Sequence, residues 1–572
     1  MGPLRVAAVF RGSLMAVVAG IFGVAIVYPL ARLLVAGFVT PTGVSVEPLL
    51  RLLGRPAVWN VLGQTLVVGL GGTAVAALVG LPLAWLFVKS DLPARRLLLI
   101  GLLVPLVIPP YIGAISWIQL LGPVGWLNRG FSALAGEKVV VWNVYGLDGV
   151  IVVLGLFHYP IVFLMSAFTL QRVPADLEEA ARTNGASPWR TALRVTLPLA
   201  WPGIGAGLLL TFVGNVGNFG IPALIGSPER VTVLTTYLYQ QVVSFGPAAF
   251  ATVAWLATLS GAIAVTAVIA LGRAVGHRSY AALSPTGASS PFPLGRWRYP
   301  VGAVALALIL FTSIAPLLAM LTSSLLPAYG VDLTLSNLTM ANYRYVLTEY
   351  SPTWRAVRTS FTLALLAATV CTGIGVAVAM ANVRWHSYSA QLADRVATVP
   401  YALPGVVVAL AAILAWYVPP PGWPFPIYGT IWLILLAYVA RFSTVAIRSA
   451  TAAYQQVDPT LEEAARVAGA GPVRTFARVT APLVSGGLLA GALLVFFTAL
   501  TELTVSALLW TSGIETIGVM IYNLETGAFG FQGTALASLV ALTVGAGSLL
   551  TYLAGQALSA DRLTNVDDER AS

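Results

Sequence analysis

Two charged hexapeptides carry the most ordered chemistry in the chain. Leu177-Glu178-Glu179-Ala180-Ala181-Arg182 recurs as Leu461-Glu462-Glu463-Ala464-Ala465-Arg466, 284 positions later. The match continues through Gly185/Gly469, Pro188/Pro472, Arg190/Arg474 and Thr196/Thr480, so that 16 of 23 positions are identical. The chemistry such a pattern offers is recognition. Glu178 to Arg182 and Glu462 to Arg466 are i,i+4 pairs in the order that supports a helix, and no nucleophile or base accompanies them. No catalytic constellation is found elsewhere: the chain has one cysteine, Cys371, and three scattered histidines, His158, His277 and His386. No His/Asp/Glu cluster has metal-ligand spacing. A phosphate-binding loop needs Gly-Lys-[Ser/Thr], whereas the only lysines, Lys89 and Lys138, follow Val88 and Glu137. The chain therefore has no catalytic residue, no metal site and no cofactor of its own.

The elements that must position these residues are set by composition. Of 572 residues 58% are hydrophobic and only 9% charged, against about 25% charged in a soluble domain. That excludes a water-soluble enzyme, and the apolar content also excludes disorder. The net charge of +10 would raise nucleic acid as a partner, but the basic residues stand singly or in small groups between long apolar runs. The pattern is that of a membrane protein with lipid, not nucleic acid, around it. A spanning helix needs about 20 apolar residues, and twelve runs qualify: 14–38, 60–87, 97–121, 148–170, 197–220, 248–272, 300–325, 356–381, 396–418, 428–449, 481–507 and 533–557. Because they are continuously apolar rather than alternating, the fold class is all-α and polytopic. The first run is too long for the apolar region of a signal peptide and is expected to be retained. With the N-terminus in the cytoplasm, 22 of the 31 Lys and Arg fall inside, eight outside and Arg32 within the first run. The positive-inside rule then places both termini in the cytoplasm.

The duplication divides the chain. Residues 1–279 form a first six-span half, 280–298 a cytoplasmic linker containing the Pro/Gly/Ser stretch 284–291, 299–560 a second six-span half, and 561–572 a polar tail. Weaker echoes at an offset of 295 pair Trp59 with Trp354, Pro105 with Pro400 and Pro109 with Pro404. The shift between the two offsets places extra residues in the first half, between Gly122 and Gly146. Six spans per half make the repeats parallel. Each hexapeptide falls in a cytoplasmic loop between the fourth and fifth spans, as a short helix near 174–185 or 458–469, with acids in its first turn and Gly185 or Gly469 at its end. A merely solvated loop has no reason to keep its residues while the flanking spans diverge, so two copies imply two equivalent sites for one partner.

At these residues the chain resembles the permease subunits of binding-protein-dependent ABC importers, whose cytoplasmic loop carries Glu-Ala-Ala, three residues and Gly. Here that pattern is Glu179-Ala180-Ala181 to Gly185 and Glu463-Ala464-Ala465 to Gly469. The resemblance implies a MetI-like permease fold in a bacterial inner membrane. It also implies that Glu178, Glu179, Ala180, Ala181, Arg182 and Gly185, with Glu462, Glu463, Ala464, Ala465, Arg466 and Gly469, couple to two copies of an ATP-binding subunit. That partner would use ATP and Mg, and an extracytoplasmic solute-binding protein would deliver cargo for alternating access. The fused two-half form, together with Phe219 to Gly226 and Leu500 to Thr504, is most similar to ferric-ion importer permeases. Thiamine, phosphonate, polyamine and sulfate permeases share parts of these stretches.

Apart from Asp148 at the first position of its run, Glu502 is the only acid placed within a span, where an ionisable group is expected to face the bundle interior or a water-filled cavity. Its counterpart at offset 284 is Asn218, with Asn215 one helical turn earlier. Two readings stay open: a polar substrate pathway formed by Glu502, Asn218 and Asn215, or residues that bridge helices in a tight bundle. His158 reads as a helix-packing donor. An ion-coupled secondary transporter is the rival from another class, and it gives no reason for a duplicated cytoplasmic helix.

Overall fold

The computed structural model describes residues 3–40, 43–275, 292–328, 331–527 and 529–571. His277 and the stretch 284–291 lie outside the described residues. Apart from a two-stranded pairing of Val39–Thr40 with Gly43–Val44 and a single parallel bridge between Ser90 and Phe292, the described secondary structure is helical. Among the described residues ten helices are long and apolar enough to cross a membrane, and two further pairs pass that test only together.

In the first half the elements are α1 (Arg11–Ala36), α2 (Pro56–Lys89), α3 (Arg95–Val107), α4 (Pro110–Leu121), α5 (Leu147–Leu170), α6 (Ala175–Thr183), α7 (Pro188–Gly217), α8 (Leu234–Phe245) and α9 (Phe250–Val275). The second half repeats the order: α10 (Gly295–Ser323), α11 (Pro352–Val383), α12 (Tyr388–Ala402), α13 (Gly405–Trp416), α14 (Ile431–Gln455), α15 (Pro459–Val467), α16 (Pro472–Leu500), α17 (Ile517–Thr526) and α18 (Gly530–Ala571). Only the first half has a helix, Trp126–Ala135, between its fourth and fifth elements.

The runs expected at 97–121 and 396–418 are not straight spans. Each bends by 109°, the first between Val107 and Pro110 and the second between Ala402 and Gly405. Pro109 and Pro404 occupy the breaks, and the residues before them, Ile108 and Leu403, are extended, because a proline forces the residue before it out of the helical region. Alone, α4 and α13 have 12 residues each, about 18 Å, too short for a hydrocarbon core of about 30 Å. The pair α3–α4 nevertheless carries the chain across. It starts six residues beyond Lys89, whose ammonium meets Glu178 just after the end of α5. It ends at Leu121, whose carbonyl accepts the N–H of Val144 close to the start of α5. With each bent pair counted as one broken span, the described residues hold up to twelve crossings.

Every residue of α13 is buried, and so is α4 from Tyr111 to Leu121. These helices can be apolar all round because protein covers every side. Part of the cover is exchanged between the halves. The first span of each half packs on the broken pair of the other: α1 on α12 and α13, and α10 on α3 and α4. Tyr28 donates its hydroxyl to the Ala415 carbonyl at 3.2 Å, and its ring meets Trp416 edge-on at 5.4 Å. Opposite, Trp117 meets Phe311 at 5.6 Å. Within the first half, α2 and α5 approach closely through glycines. A Cβ on Gly80 would stand 2.8 Å from the Tyr159 carbonyl oxygen, the small-residue packing that membrane helices use in place of a hydrophobic drive.

Candidate functional site

The two repeated helices lie on one face of the bundle. Lys89 at the end of α2 meets α6, Asp91 lies 3.8 Å from Arg298 near the start of α10, and Arg384 just past α11 meets α15. Both α6 and α15 end in the same way. Gly185 and Gly469 have φ of +81° and +83°, and the following Ala186 and Ala470 donate back to the carbonyls of Ala181 and Ala465 at 3.0 Å. This left-handed closure satisfies the last carbonyls and suits glycine. The starts differ. Asp458 accepts the Thr460 N–H at 2.9 Å, an N-cap that also draws its carboxyl below the usual range, whereas Pro174 takes the same position in the first copy.

Within each hexapeptide the two glutamates have opposite environments. Glu178 and Glu462 are buried, while Glu179, Ala180, Arg182, Glu463, Ala464 and Arg466 are exposed together with Gly185 and Gly469; Ala181 and Ala465 are half-buried. Glu178 forms a buried ion pair with Lys89 at 2.9 Å and accepts the Thr196 hydroxyl at 2.6 Å. Glu462 pairs with Arg384 at 3.0 Å and accepts the Thr480 hydroxyl at 3.0 Å. Arg384 also donates to the Val457 carbonyl at 2.9 Å. The two threonines close matching π-turns, Ala192–Thr196 and Phe476–Thr480, in which the extra residue re-aims the helix. The expected pair Glu462 to Arg466 is present at 3.7 Å; for Glu178 the bonded cation is Lys89 rather than Arg182, since a buried carboxylate needs a buried partner. Lys89 and Arg384 had not been singled out, although they stand 295 apart, the offset already marked by Trp59/Trp354 and the prolines. What results is a short helix riveted to the bundle by its inner carboxylate, with its outer carboxylate free to meet another protein.

The polar residues expected deeper in the bundle are caps and ties. Glu502 was expected within a span, but α16 ends at Leu500 and Glu502 lies in the unwound turn beyond it. Its carboxylate accepts the N–H of Val505 at 2.9 Å and of Ser506 at 3.1 Å, capping Ser506–Leu509; a negative charge is favoured at that end of a helix. Asn218 does the same in the first half, accepting the Ile221 N–H at 3.0 Å. These bonds are themselves related by the offset of 284. Because α7 ends at Gly217, the helical phase that would set Asn215 and Asn218 on one face does not reach Asn218. Asn215 instead donates to Thr73 at 3.3 Å, tying α7 to α2. Arg441 and Tyr438 surround Glu502 from its own half and Tyr111 from the other, so it stands at the seam between the halves. His158 contacts the Leu154 carbonyl of its own helix at 3.1 Å. Among the described residues no group of three His, Cys, Asp or Glu could hold a metal ion.

Comparison with known proteins adds sequence likeness to this geometry. The family model described as the inner membrane component of binding-protein-dependent transport systems matches residues 72–286 and 373–563. The ferric transport system permease protein FbpB of Actinobacillus pleuropneumoniae is 24% identical over 534 residues, 92% of this chain and 75% of that protein. A probable ABC transporter permease protein of Sinorhizobium fredii, y4fN, is 26% identical over 521 residues, covering 89% and 88%. The molybdenum transport system permease protein ModB of Escherichia coli matches a shorter stretch, 32% identical over 165 residues, 27% of this chain and 69% of that protein.

Proposed function

Since the chain belongs to the family of binding-protein-dependent transport system inner membrane components, as two fused copies, we propose that it is the permease of an ATP-driven importer that carries ferric iron from an extracytoplasmic binding protein into the cytoplasm. The observation that carries this reading is the duplicated helix with its divided glutamates. Glu178 and Glu462 fix α6 and α15 to the spans, so a force applied to the exposed face around Glu179 and Glu463 is passed to α2 and α11. Two separate ATP-binding subunits grip these faces. Their closure on ATP draws α6 and α15 together and rocks the six-span halves, so that the space between them opens toward the docked binding protein; hydrolysis resets it. The grip must be stronger in one motor state than in the other, because equal affinity for both would shift nothing. The exchanged first spans keep the halves together during the motion. Both termini and the repeated helices are cytoplasmic.

The choice of iron follows the names of the long matches. The test is uptake into vesicles that contain the chain, its ATPase and its binding protein, with ferric ion and thiamine offered in parallel. ATP-dependent accumulation of iron but not thiamine is expected. Accumulation of thiamine alone would keep the permease and overturn its cargo.

A further inference from the structure

A cavity of about 600 Å3 lies between the halves, lined in part by Phe219, Ala223 and Leu224 but by neither the repeated helices nor Glu502, Asn218 and Asn215. Tyr145, Phe219, Tyr239 and Gln240 come to it from the first half, and Tyr522 and Glu525 from the second. It belongs to the face opposite the repeated helices. Tyr145 leads into the start of α5, and the helices that carry Tyr239 and Tyr522 are held by matching bonds near the opposite ends of α2 and α11: the Leu234 N–H donates to Thr65 and the Ile517 N–H to Ser360, both at 2.8 Å. Phe219, on its wall, directly follows the capping residue Asn218.

The side-chain donors in this cavity are hard oxygens: three phenols, one carboxylate, the Gln240 amide and the hydroxyls of Ser227, Thr236 and Thr526. No Lys, Arg or His is among the described residues that line it. The Glu525 carboxylate is held by the Thr534 hydroxyl at 3.3 Å, which in turn accepts from the Gln119 amide at 3.4 Å. These bonds aim the carboxyl group and leave it without a cationic partner. Phe219, Tyr239 and Tyr522 have ring centroids 5.0, 5.8 and 6.3 Å apart, so they pack on one another as a wall. They leave no gap in which an organic cation could sit face-on between rings. Oxygen donors of this kind suit a hard multivalent cation rather than a soft one.

We propose that this cavity is the reception site for the cargo, where a ferric ion released between the halves is held by Glu525 with phenol oxygens of Tyr145, Tyr239 and Tyr522. The assignment rests on the iron-importer reading and gives it a place. Each phenol that binds the ion, and the Glu525 carboxyl with them, gives its proton to water in the cavity, so binding releases protons, and water or chelator oxygens complete the coordination. Because donors come from both halves, rocking pulls the set apart and frees the ion. The matched Leu234/Ile517 and Tyr239/Tyr522 stand 283 apart, which puts Val242 at the pseudo-symmetric position of Glu525; the site therefore has one carboxylate and binds in passing rather than storing.

The test uses the full chain purified in detergent, titrated with ferric nitrilotriacetate and followed by the visible phenolate-to-iron charge-transfer band, together with iron uptake by the complete transporter in vesicles. The wild type should give the band. Tyr239→Phe/Tyr522→Phe should lose most of it, Glu525→Gln should weaken iron binding at least about tenfold, and Glu525→Asp should keep the band and so report that the fold tolerates change there. Uptake should fall in the first two variants, while association with the ATPase stays unchanged. A wild type without the band, or a band that the variants leave unaltered, overturns the site even if iron is still imported. A band that responds to the variants, in a transporter that imports no iron, supports the site and defeats the importer reading instead.

Discussion

Glu178 and Glu179 are sequence neighbours with opposite fates, and their effects on substitution should separate. Lys89→Met leaves Glu178 buried and unpaired, a loss of about 3–5 kcal/mol, visible as a lower unfolding temperature in detergent. Adding Glu178→Gln removes the stranded charge and should restore most of that stability; a double variant no more stable than Lys89→Met would show that the pair is not the anchor. Glu179→Lys and Glu463→Lys change only exposed positions. They should leave stability within about 0.5 kcal/mol of wild type while abolishing co-purification with the ATPase. The sequence made the hexapeptides legible because they recur, yet it could not rank the two glutamates. Burial is set by which side of a nine-residue helix meets α2, and that depends on Lys89, 89 residues away.

Among the elements, the short helices α6 and α15 share one closure and differ in their start. Gly185→Ala or Gly469→Ala puts a side chain on a left-handed residue, at about 1–2 kcal/mol, and should fray the last turn, seen as faster amide exchange at 182–186 or 466–470. The starts should respond differently to acid. Asp458 is drawn below the ordinary carboxylate range by its bond to the Thr460 N–H. Its stabilisation is therefore complete above the ordinary value and is lost as pH falls through the depressed one. Amides 460–462, corrected for intrinsic rate, should lose protection over that window more than amides 176–178, which follow Pro174. Equal loss in both would deny the cap its role. The broken spans show where sequence reading reached its limit at this scale. Pro109 and Pro404 were recognisable as duplicates, but hydropathy is blind to direction, so a 109° bend and a straight helix have the same apolar run. The end of α16 before Glu502 was hidden for the same reason: Leu503, Val505 and Leu508 keep the run apolar although the helix has stopped.

At the scale of the molecule, the apolar helical runs, up to twelve crossings with the two bent pairs counted, and a twofold repeat were readable from composition and the offsets alone. The exchange of first spans was not, because nothing in a hydrophobic run names the helix it will touch. It has a consequence for stability. Removing residues 11–36 uncovers α12 and α13 of the second half, so limited proteolysis should then cut the second half, at 417–430, before the first; earlier cleavage of the first half would contradict the exchange. Each half holds part of the other, so a pull on either repeated helix is expected to reach the seam near Glu502 and Tyr111. The measurement closest to the central claim compares wild type with Glu179→Lys/Glu463→Lys in vesicles with the ATPase and binding protein, and wild type with the ATPase left out. Iron accumulation should require ATP and the motor in the wild type and vanish in the folded double variant. Uptake that persists in that variant, or without the ATPase, would contradict the account.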